Sequence, residues 1–386
     1  MRNPHRRLKP RVVVIGGGYA GLTAAVELAR TRRFEIVLVD RHAAYLDQVQ
    51  LHRTVHTPLA ELQTDYRRVL DPWGIEFRQS ELDLSGRALV DWETAGALPV
   101  DGEHFSFDYL VVASGGRTRL PGPLAGRVGG PDTVTLEELK VQGARGWIQR
   151  FLETTPPVER VLSIVGGGAT GVQFLFELDD HLRLHRERCL INFIHHEERL
   201  LTAFPESFGD YAAGKLRSRN GTIEYYPGTR FLGQRDGRVI LHRQGQKIST
   251  ESRLTLLFTG VEPAPHIQTT PTGQAICDGK LMPRVFAAGD CADFAGGGLN
   301  SLSAQAAVRK AKTVAENVLR HATGRELQDY SYRELGYFVS LGSGDGVGWM
   351  LRKRGTLTGL PAFAVKNAIE AQWSLFLQGV DTYIDL

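Results

Sequence analysis

A glycine-rich turn between an apolar run and a helix-like segment occurs twice in this chain. Residues 12–15 (VVVI) are a continuous β-branched run, and residues 16–21 (GGGYAG) follow directly. Residues 161–165 (VLSIV) and 166–171 (GGGATG) repeat the arrangement. A continuous run of this kind is typical of a parallel strand that is buried on both faces. The sequence therefore predicts an α/β protein with two Rossmann-like units.

The first copy has the context that a dinucleotide-binding turn requires. A helix is predicted over 22–31, and the buried strand after it ends at Asp40, nineteen residues past Gly21. Gly16 permits the tight turn, Gly18 lets the backbone approach a pyrophosphate, and Gly21 allows the helix to pack closely on the sheet. The helix N-terminus offers free N–H groups to the phosphates, and Asp40 offers an acceptor to the adenosine ribose.

The second copy places Gly166, Gly168 and Gly171 in the corresponding positions. The strand after it ends at His195, where a ribose-binding acid is expected. Two interpretations stay open. Either His195 or Arg199 binds the 2′-phosphate of NADPH, or the polar loop is solvated beside a nucleotide site that has decayed.

Two further segments belong with the first unit. Residues 107–116 (FDYLVVASGG) are a predicted buried strand that ends in small residues, among them Ser114 and Gly115, so a ligand can cross close to the backbone. The apolar run that ends at Gly289 and Asp290 resembles the second FAD fingerprint. In that fingerprint the aspartate binds the ribityl chain and the glycine lets it approach.

Composition narrows the class of protein. The chain has 386 residues, enough for two or three domains. Its net charge of +3 is too close to neutral for a nucleic-acid-binding surface, so we expect no nucleic-acid partner. Cys189, Cys277 and Cys291 lie far apart without a C-x-x-C motif, which argues against a disulfide framework and a dithiol redox centre. We expect a cytoplasmic protein and assign no metal site.

In combination, these motifs resemble the flavoproteins that have two dinucleotide-binding domains, over about residues 11–320. The lack of a cysteine pair disfavours the disulfide reductases and sulfide:quinone oxidoreductases of that superfamily. The segments 259–261 (TGV) and 289–292 (GDCA), with Ala304 and Gln305 opening a helix, look similar to the type II NADH:quinone oxidoreductases.

This resemblance implies a glutathione-reductase-like fold in which the second dinucleotide-binding domain is inserted in the first. The implied FAD-binding domain covers residues 1–125 and 270–335, the NAD(P)H-binding domain covers 150–269, and a C-terminal segment covers 336–386. The resemblance also implies FAD as cofactor and NADH or NADPH as co-substrate. Hydride would pass to the flavin, and two electrons would pass on to a quinone or another small acceptor.

The resemblance further implies roles for individual residues. Gln173 stands where the family carries a glutamate on the nicotinamide side, and Gln305 would line the quinone pocket. The chain departs from the family at Leu175 and Phe176, where alanine and glycine are usual, and at Arg309, where a second glutamine is common. The full set of expected cofactor-binding residues is Gly16, Gly18, Gly21, Asp40, Arg41, Ser114, Gly115, Gly166, Gly168, Gly171, His195, Gly289, Asp290 and Ala304.

The C-terminal segment has a different character. Residues 352–380 combine a basic tripeptide with a helical pattern that places Trp373 and Phe376 on one face and Lys366 and Glu370 on the other. The pattern predicts peripheral contact with the inner face of a membrane. The alternative is that the two aromatic side chains pack on the core of the chain or across a homodimer interface.

Two rival functions stay open. The chain could be a FAD-binding interaction or maturation protein that has lost nicotinamide turnover, an interpretation favoured by Leu175, Phe176 and the missing acid at His195. It could also be a flavin reductase that serves a soluble electron carrier.

Overall fold

The computed structural model describes residues 9–120, 132–219, 221–296, 300–350 and 355–382. In these parts of the chain, two sheets form the centres of two α/β layers. The first sheet has eight strands, in the spatial order Ala292–Phe294, Ile267–Thr269, Gln274–Cys277, Lys280–Ala287, Tyr109–Val112, Arg11–Ile15, Glu35–Asp40 and Glu76–Gln79.

The strand Arg11–Ile15 lies inside the first sheet and pairs in parallel with Tyr109–Val112 on one side and Glu35–Asp40 on the other. Its residues Val12, Val13 and Val14 are fully buried, as the β-branched run predicts. The second sheet consists of five strands that all pair in parallel, in the spatial order Thr133–Thr135, Leu254–Leu257, Val161–Val165, Leu190–Ile194 and Ile223–Tyr226.

Helices cover the sheets and smaller sheets complete the fold. The α-helices are Tyr19–Arg30, Tyr66–Leu70, Gly86–Ala95, Leu136–Gln142, Arg145–Thr154, Ala169–Leu184, Glu206–Ser218, Ala304–Ala322 and Gly359–Leu377. The 3₁₀ helices are Gln48–Val55, Leu59–Leu62, Asp71–Trp73, Pro157–Glu159 and Gly289–Cys291. The small two-stranded sheets pair Ala44–Leu46 with Gln63–Asp65, Ala97–Val100 with Glu103–Ser106, and Gly116–Thr118 with Val261–Pro263. One three-stranded sheet consists of Thr229–Arg235, Arg238–Arg243 and Gln246–Glu251. Another consists of Gly336–Ser340, Gly346–Met350 and Thr356–Thr358.

The predicted fold class, two Rossmann-like units in an α/β protein, is confirmed by this topology. The first helix begins at Tyr19, three residues before the predicted start, because the end of the glycine motif is already helical. Strands from both sides of the second unit in the sequence, Tyr109–Val112 and Lys280–Ala287, pair in parallel in the first sheet.

The C-terminal helix packs its aromatic residues on the core of the chain. Trp373 is 4% exposed and Phe376 is fully buried, and the ring centroid of Trp373 lies 4.6 Å from that of Tyr19. The alternative in which these side chains pack on the chain's own core is therefore confirmed for the aromatic face.

The predicted placement of Lys366 and Glu370 on the outer face of this helix is wrong. Both side chains are 7% exposed and form an ion pair, and Arg53 adds a second contact to Glu370 at 2.8 Å. These partners offset the cost of burying the charges. The basic tripeptide at 352–354 lies outside the described residues. Among the helices that the structure describes, none has the length and apolar character that a membrane crossing requires.

Candidate active site

The first glycine turn is tight because the backbone of the chain itself crowds Gly16 and Gly21. Gly16 has φ +97°, and a Cβ atom there would lie 2.4 Å from the carbonyl oxygen of Ala113. A Cβ on Gly21 would lie 1.7 Å from the carbonyl oxygen of Gly16. Both positions exclude a side chain whether or not a ligand is bound, because the strand, turn and helix meet there.

Neither Gly18 nor Gly168 needs to be a glycine for the chain to fold. Their φ angles are −74° and −78°, which any residue adopts, and a Cβ on either would have no atom within 4 Å. Each is the N-cap of a helix and makes no side-chain capping bond. Open space over uncapped N–H groups suits a dinucleotide pyrophosphate, so both turns fit the expected cofactors.

Asp40 binds the first turn with one carboxylate oxygen and the loop after its own strand with the other. Oδ2 accepts a hydrogen bond from the backbone N–H of Gly17 at 2.6 Å, and Oδ1 accepts from that of His42 at 2.7 Å. The hydroxyl of Tyr66 also donates to this carboxylate, and the acceptor capacity that remains is available to a ribose hydroxyl. The side chain of Arg41 is 60% exposed and lies 3.8 Å from Glu81, at the same edge of the sheet.

His195 takes the corresponding position in the second turn. Its Nδ1 accepts a hydrogen bond from the N–H of Gly167 at 3.1 Å, and the residue is 5% exposed. Burial, followed by the nearby His196, lowers the pKa of His195, so the ring is neutral at pH 7. Its Nε2 is buried and lies near the backbone of Arg199. Arg199 forms an ion pair with Glu206 at 2.9 Å.

Leu175 and Phe176 do not obstruct the second turn. The close approach of helix to turn occurs at Gly171, where a Cβ would lie 2.0 Å from the carbonyl oxygen of Gly166. Leu175 and Phe176 are fully buried in the apolar core beneath the second sheet. The bulky residues therefore belong to the packing of the helix.

The ends of two strands in the first sheet form the opposite wall of the first site. Ser114 donates its hydroxyl to the carbonyl oxygen of Ala264 at 3.0 Å, which fixes the small-residue crossing. Gly115 has φ +79° and open space around its Cβ position. Gly289 has φ +78°, and a Cβ there would lie 2.8 Å from Cβ of Ala20 on the first helix.

A buried lysine supports the turn that carries Asp290. Lys310 is 1% exposed, and its ammonium group donates to the carbonyl oxygens of Ala292 at 2.6 Å and Gly289 at 3.3 Å. Burial raises the pKa of Asp290, and the charge of Lys310 acts in the opposite direction. The sequence pattern gave no sign of this role, since Lys310 lies in the middle of an amphipathic helix.

Gln305 lies in the first turn of the helix Ala304–Ala322. Its Oε1 accepts a hydrogen bond from the hydroxyl of Tyr332 at 2.9 Å, and Gln305 is half-buried. The N-cap of this helix is Ser303, whose hydroxyl accepts from the N–H of Ala306 at 3.2 Å. The structure thus fixes the side-chain amide of Gln305 against the hydroxyl of Tyr332.

Gln173 faces a different set of residues. Its Oε1 accepts from both the backbone N–H and the hydroxyl of Ser340, each at 3.3 Å, and Nε2 of His52 lies 3.3 Å from the same hydroxyl. This cluster borders a cavity of about 550 Å³. Polar and charged residues that line the cavity are His52, Arg53, His56, Thr57, Glu177, Ser340, Ser343, Lys366 and Asn367.

The thiols offer no redox pair in the described residues. Cys189, Cys277 and Cys291 are all free. Cys291 is fully buried, and burial raises its pKa, so the thiolate that a nucleophile requires is disfavoured. Cys291 is therefore a small buried residue of the core.

Comparison with known proteins identifies the class. Residues 10–311 match the family described as pyridine nucleotide-disulphide oxidoreductase. The chain therefore belongs to this family.

Two relatives cover most of the chain. Demethylphylloquinone reductase NdbB of Synechocystis is 28% identical over an alignment of 357 positions, which covers 87% of this chain and 85% of that protein. The type II NADH:quinone oxidoreductase of Staphylococcus aureus is 24% identical over an alignment of 402 positions, which covers 96% of this chain and 97% of that protein. This similarity agrees with the resemblance seen in the motifs.

Solved structures share the fold. Sulfide:quinone oxidoreductase from Aquifex aeolicus has a TM-score of 0.73 at 15% identity, covering 96% of this chain and 92% of that one. NDH2 from Plasmodium falciparum in complex with NADH also has a TM-score of 0.73, at 13% identity, covering 96% of each chain.

Proposed function

We propose that this chain is a FAD-dependent oxidoreductase that passes electrons from NADH to a quinone. The observation that carries the proposal is the pair of uncapped glycine turns, each with open space at its third glycine, in a chain similar over most of its length to quinone reductases. When bound, FAD accepts hydride from the nicotinamide and supplies two electrons to the acceptor.

On the FAD side, the backbone does most of the binding. The N–H groups that follow Gly18 face the pyrophosphate, and Asp40 accepts from the adenosine ribose while it stays bonded to Gly17. Asp290 binds the ribityl chain, and Lys310 holds the turn on which Asp290 stands.

On the nicotinamide side, Gly168 and the N-terminus of its helix face the second pyrophosphate. The second nitrogen of neutral His195, Nε2, is a buried donor near the backbone of Arg199, so the ring offers no acceptor to the ribose. We favour NADH over NADPH because Arg199, the other candidate for a 2′-phosphate, is already paired with Glu206.

We propose that Gln305 lines the acceptor pocket. Its bond from Tyr332 fixes the side-chain amide, so that its N–H groups are available to a quinone carbonyl. Leu175 and Phe176 pack in the core and do not block the second turn. They therefore no longer favour the rival function, a FAD-binding interaction or maturation protein that has lost nicotinamide turnover.

We propose the division into domains that the resemblance implies, and the sheets support it. Residues 1–125 and 270–335 supply seven of the eight strands in the first sheet, the exception being Ile267–Thr269, and 150–269 supply four of the five strands in the second. Residues 336–386 form the C-terminal segment.

We propose that the C-terminal helix rests on a membrane surface, through a face other than the one that the sequence pattern indicates. Its charges are turned inward, and its exposed residues from Leu360 to Leu375 are apolar apart from Ser374. Leu360 is 66% exposed and Leu375 is 39% exposed. The exposed alanines between them are Ala364, Ala368 and Ala371. An outward apolar stripe of this length favours contact with the interface of a bilayer.

The function is tested by mixing the FAD-loaded protein with NADH, and separately NADPH, without oxygen in a stopped-flow instrument. We expect rapid bleaching of the flavin absorbance by NADH and its recovery on addition of a short-chain quinone. Bleaching without recovery would replace the quinone by a soluble electron carrier. A flavin that neither nucleotide bleaches would contradict the proposed oxidoreductase.

A further inference from the structure

Ser340 presents its backbone N–H to the second nucleotide-binding unit. It is the last residue of the first strand in the antiparallel hairpin near the C-terminus. The next residue, Leu341, donates its N–H across the hairpin to the carbonyl oxygen of Asp345 at 2.9 Å. Because such bonds alternate along an antiparallel strand, the N–H of Ser340 points out of the hairpin. It donates there to Oε1 of Gln173.

This contact fixes the orientation of the Gln173 amide. A backbone N–H can only donate, so the atom of Gln173 that faces it is the amide oxygen. The Ser340 hydroxyl lies 3.3 Å from the same oxygen and 3.3 Å from Nε2 of His52, and it donates to Gln173 when the ring carries its proton on Nε2. His52 is 3% exposed, and burial, followed by the charge of Lys366, lowers its pKa well below the ordinary value. A neutral ring with its proton on Nε2 satisfies the arrangement.

The amide N–H group of Gln173 is left facing away from Ser340. In the parts of the chain that the structure describes, no group accepts a hydrogen bond from this nitrogen. Gln173 lies four residues after Ala169, the first residue of its helix, or about 6 Å along the helix axis. The helix start faces the pyrophosphate, and His195 marks the adenosine ribose. The nicotinamide half of the dinucleotide is therefore the part within reach of Gln173.

We propose that Ser340 is a positioning residue, which holds the side chain of Gln173 so that its N–H group donates to the carboxamide oxygen of the nicotinamide. The inference rests on the proposed function, since it requires a nicotinamide nucleotide in the second turn. A carboxylate at position 173 could only accept, so the donor distinguishes this chain from relatives of the kind that carry glutamate there.

The test compares equilibrium binding of NAD⁺ and of ADP-ribose, which lacks the nicotinamide, to the FAD-loaded protein by calorimetry. Ser340→Ala should weaken NAD⁺ binding about threefold to tenfold, the value of one neutral hydrogen bond, and leave ADP-ribose binding unchanged. Ser340→Thr keeps the hydroxyl and should restore most of the affinity. Ser343→Ala, an exposed serine in the same hairpin loop, is the matched control and should bind both ligands as the parent does.

A double-mutant cycle separates positioning from a general structural effect. Gln173→Met removes the amide, so Ser340→Ala should cause no further loss of NAD⁺ affinity in that background. Equal weakening of both ligands by Ser340→Ala, or an undiminished loss in the Gln173→Met background, would overturn the inference. A parent protein that NADH bleaches normally, with Ser340→Ala binding NAD⁺ unchanged, would refute the positioning role alone. A parent that binds neither ligand and is not bleached would refute the proposed function itself.

Discussion

The backbone N–H of Gly167 donates to Nδ1 of His195 at 3.1 Å, in the place where the N–H of Gly17 donates to Oδ2 of Asp40 at 2.6 Å in the first turn. The two turns thus use the same backbone geometry with different acceptors. A carboxylate keeps further acceptor sites for a ribose, whereas the second nitrogen of a neutral imidazole can only donate. The substitution changes what the site recognises without loosening the turn.

His195→Asp should therefore raise the preference for NADH over NADPH. The carboxylate still accepts from Gly167, and its other oxygen accepts from the ribose 2′-hydroxyl and repels a 2′-phosphate. Because hydrogen bonds to charged groups contribute about 1.5 to 3 kcal/mol, the ratio of kcat/KM for the two nucleotides should rise by about tenfold or more. His195→Asn, which keeps a neutral acceptor, is the control and should shift the ratio less. An unchanged ratio in His195→Asp would place the ribose elsewhere.

Gly18→Ala and Gly168→Ala form a matched pair that separates the two nucleotide sites. Neither position has steric or conformational need for glycine, so both variants should fold with nearly unchanged melting temperatures of the flavin-free protein. Gly18→Ala should lose FAD, because a methyl group would occupy the space for the pyrophosphate. Gly168→Ala should keep FAD and lose reduction by NADH. The flavin-to-protein absorbance ratio and anaerobic bleaching measure these outcomes, and a yellow Gly18→Ala protein would contradict the first assignment.

Local pattern made the two turns predictable from sequence, because the strand, the glycines and the terminal residue of the next strand are neighbours along the chain. The position of His195 followed from the same spacing that located Asp40. The hydrogen bond between His195 and Gly167 could not be predicted from the spacing, because the residue expected at this position was an acid that binds ribose. Spacing locates a position in a motif, and the chemistry of the residue decides what that position binds.

Lys310→Met should weaken FAD retention. The ammonium group holds two buried carbonyl oxygens of the Asp290 turn, and an unsatisfied buried polar group costs about 1 to 3 kcal/mol. Removing the positive charge should also raise the pKa of Asp290 further, so FAD loss should increase toward acid pH. Fluorescence of released FAD between pH 5 and 8 measures both effects. Lys312 lies two residues further along the same helix and pairs with Asp381. Lys312→Met is therefore the control and should release no additional FAD.

Contacts between distant parts of the sequence could not be predicted in this way. Ser340 lies 167 positions from Gln173 and 288 from His52, and no spacing rule connects them. The periodicity of the C-terminal helix correctly grouped its aromatic residues. Lys366 and Glu370 lie seven and three residues before Trp373, on the same helix face, and the sequence interpretation assigned them wrongly because charged residues are rarely buried. The tertiary contact with Arg53 makes that burial tolerable.

Stability should fall as the pH drops below about 6.5, the ordinary pKa of histidine. His52 and His195 both have lowered pKa values because they are buried. Between the lowered and the ordinary pKa, the unfolded chain binds protons that the folded chain does not, so stability is lost with falling pH and is fully present above this window. Each group can contribute up to about 1.4 kcal/mol per pH unit. Urea unfolding of the FAD-loaded protein should show a shallower pH dependence in His52→Gln, and an unaltered one would mean that His52 binds protons as readily in the folded state as in the unfolded chain.

Leu360→Glu and Leu375→Glu should reduce binding to vesicles that contain anionic lipid. Both side chains are exposed, and burying a leucine in an apolar environment contributes about 1.5 to 3 kcal/mol. Co-sedimentation should therefore fall at least several-fold, while turnover with a soluble short-chain quinone should stay unchanged. Val158→Glu alters an apolar side chain that is 93% exposed in the 3₁₀ helix Pro157–Glu159 and serves as the control. If the parent protein stays in the supernatant at low salt and sediments as a dimer in the ultracentrifuge, the apolar stripe is a contact between two copies of the chain, and the membrane proposal is refuted.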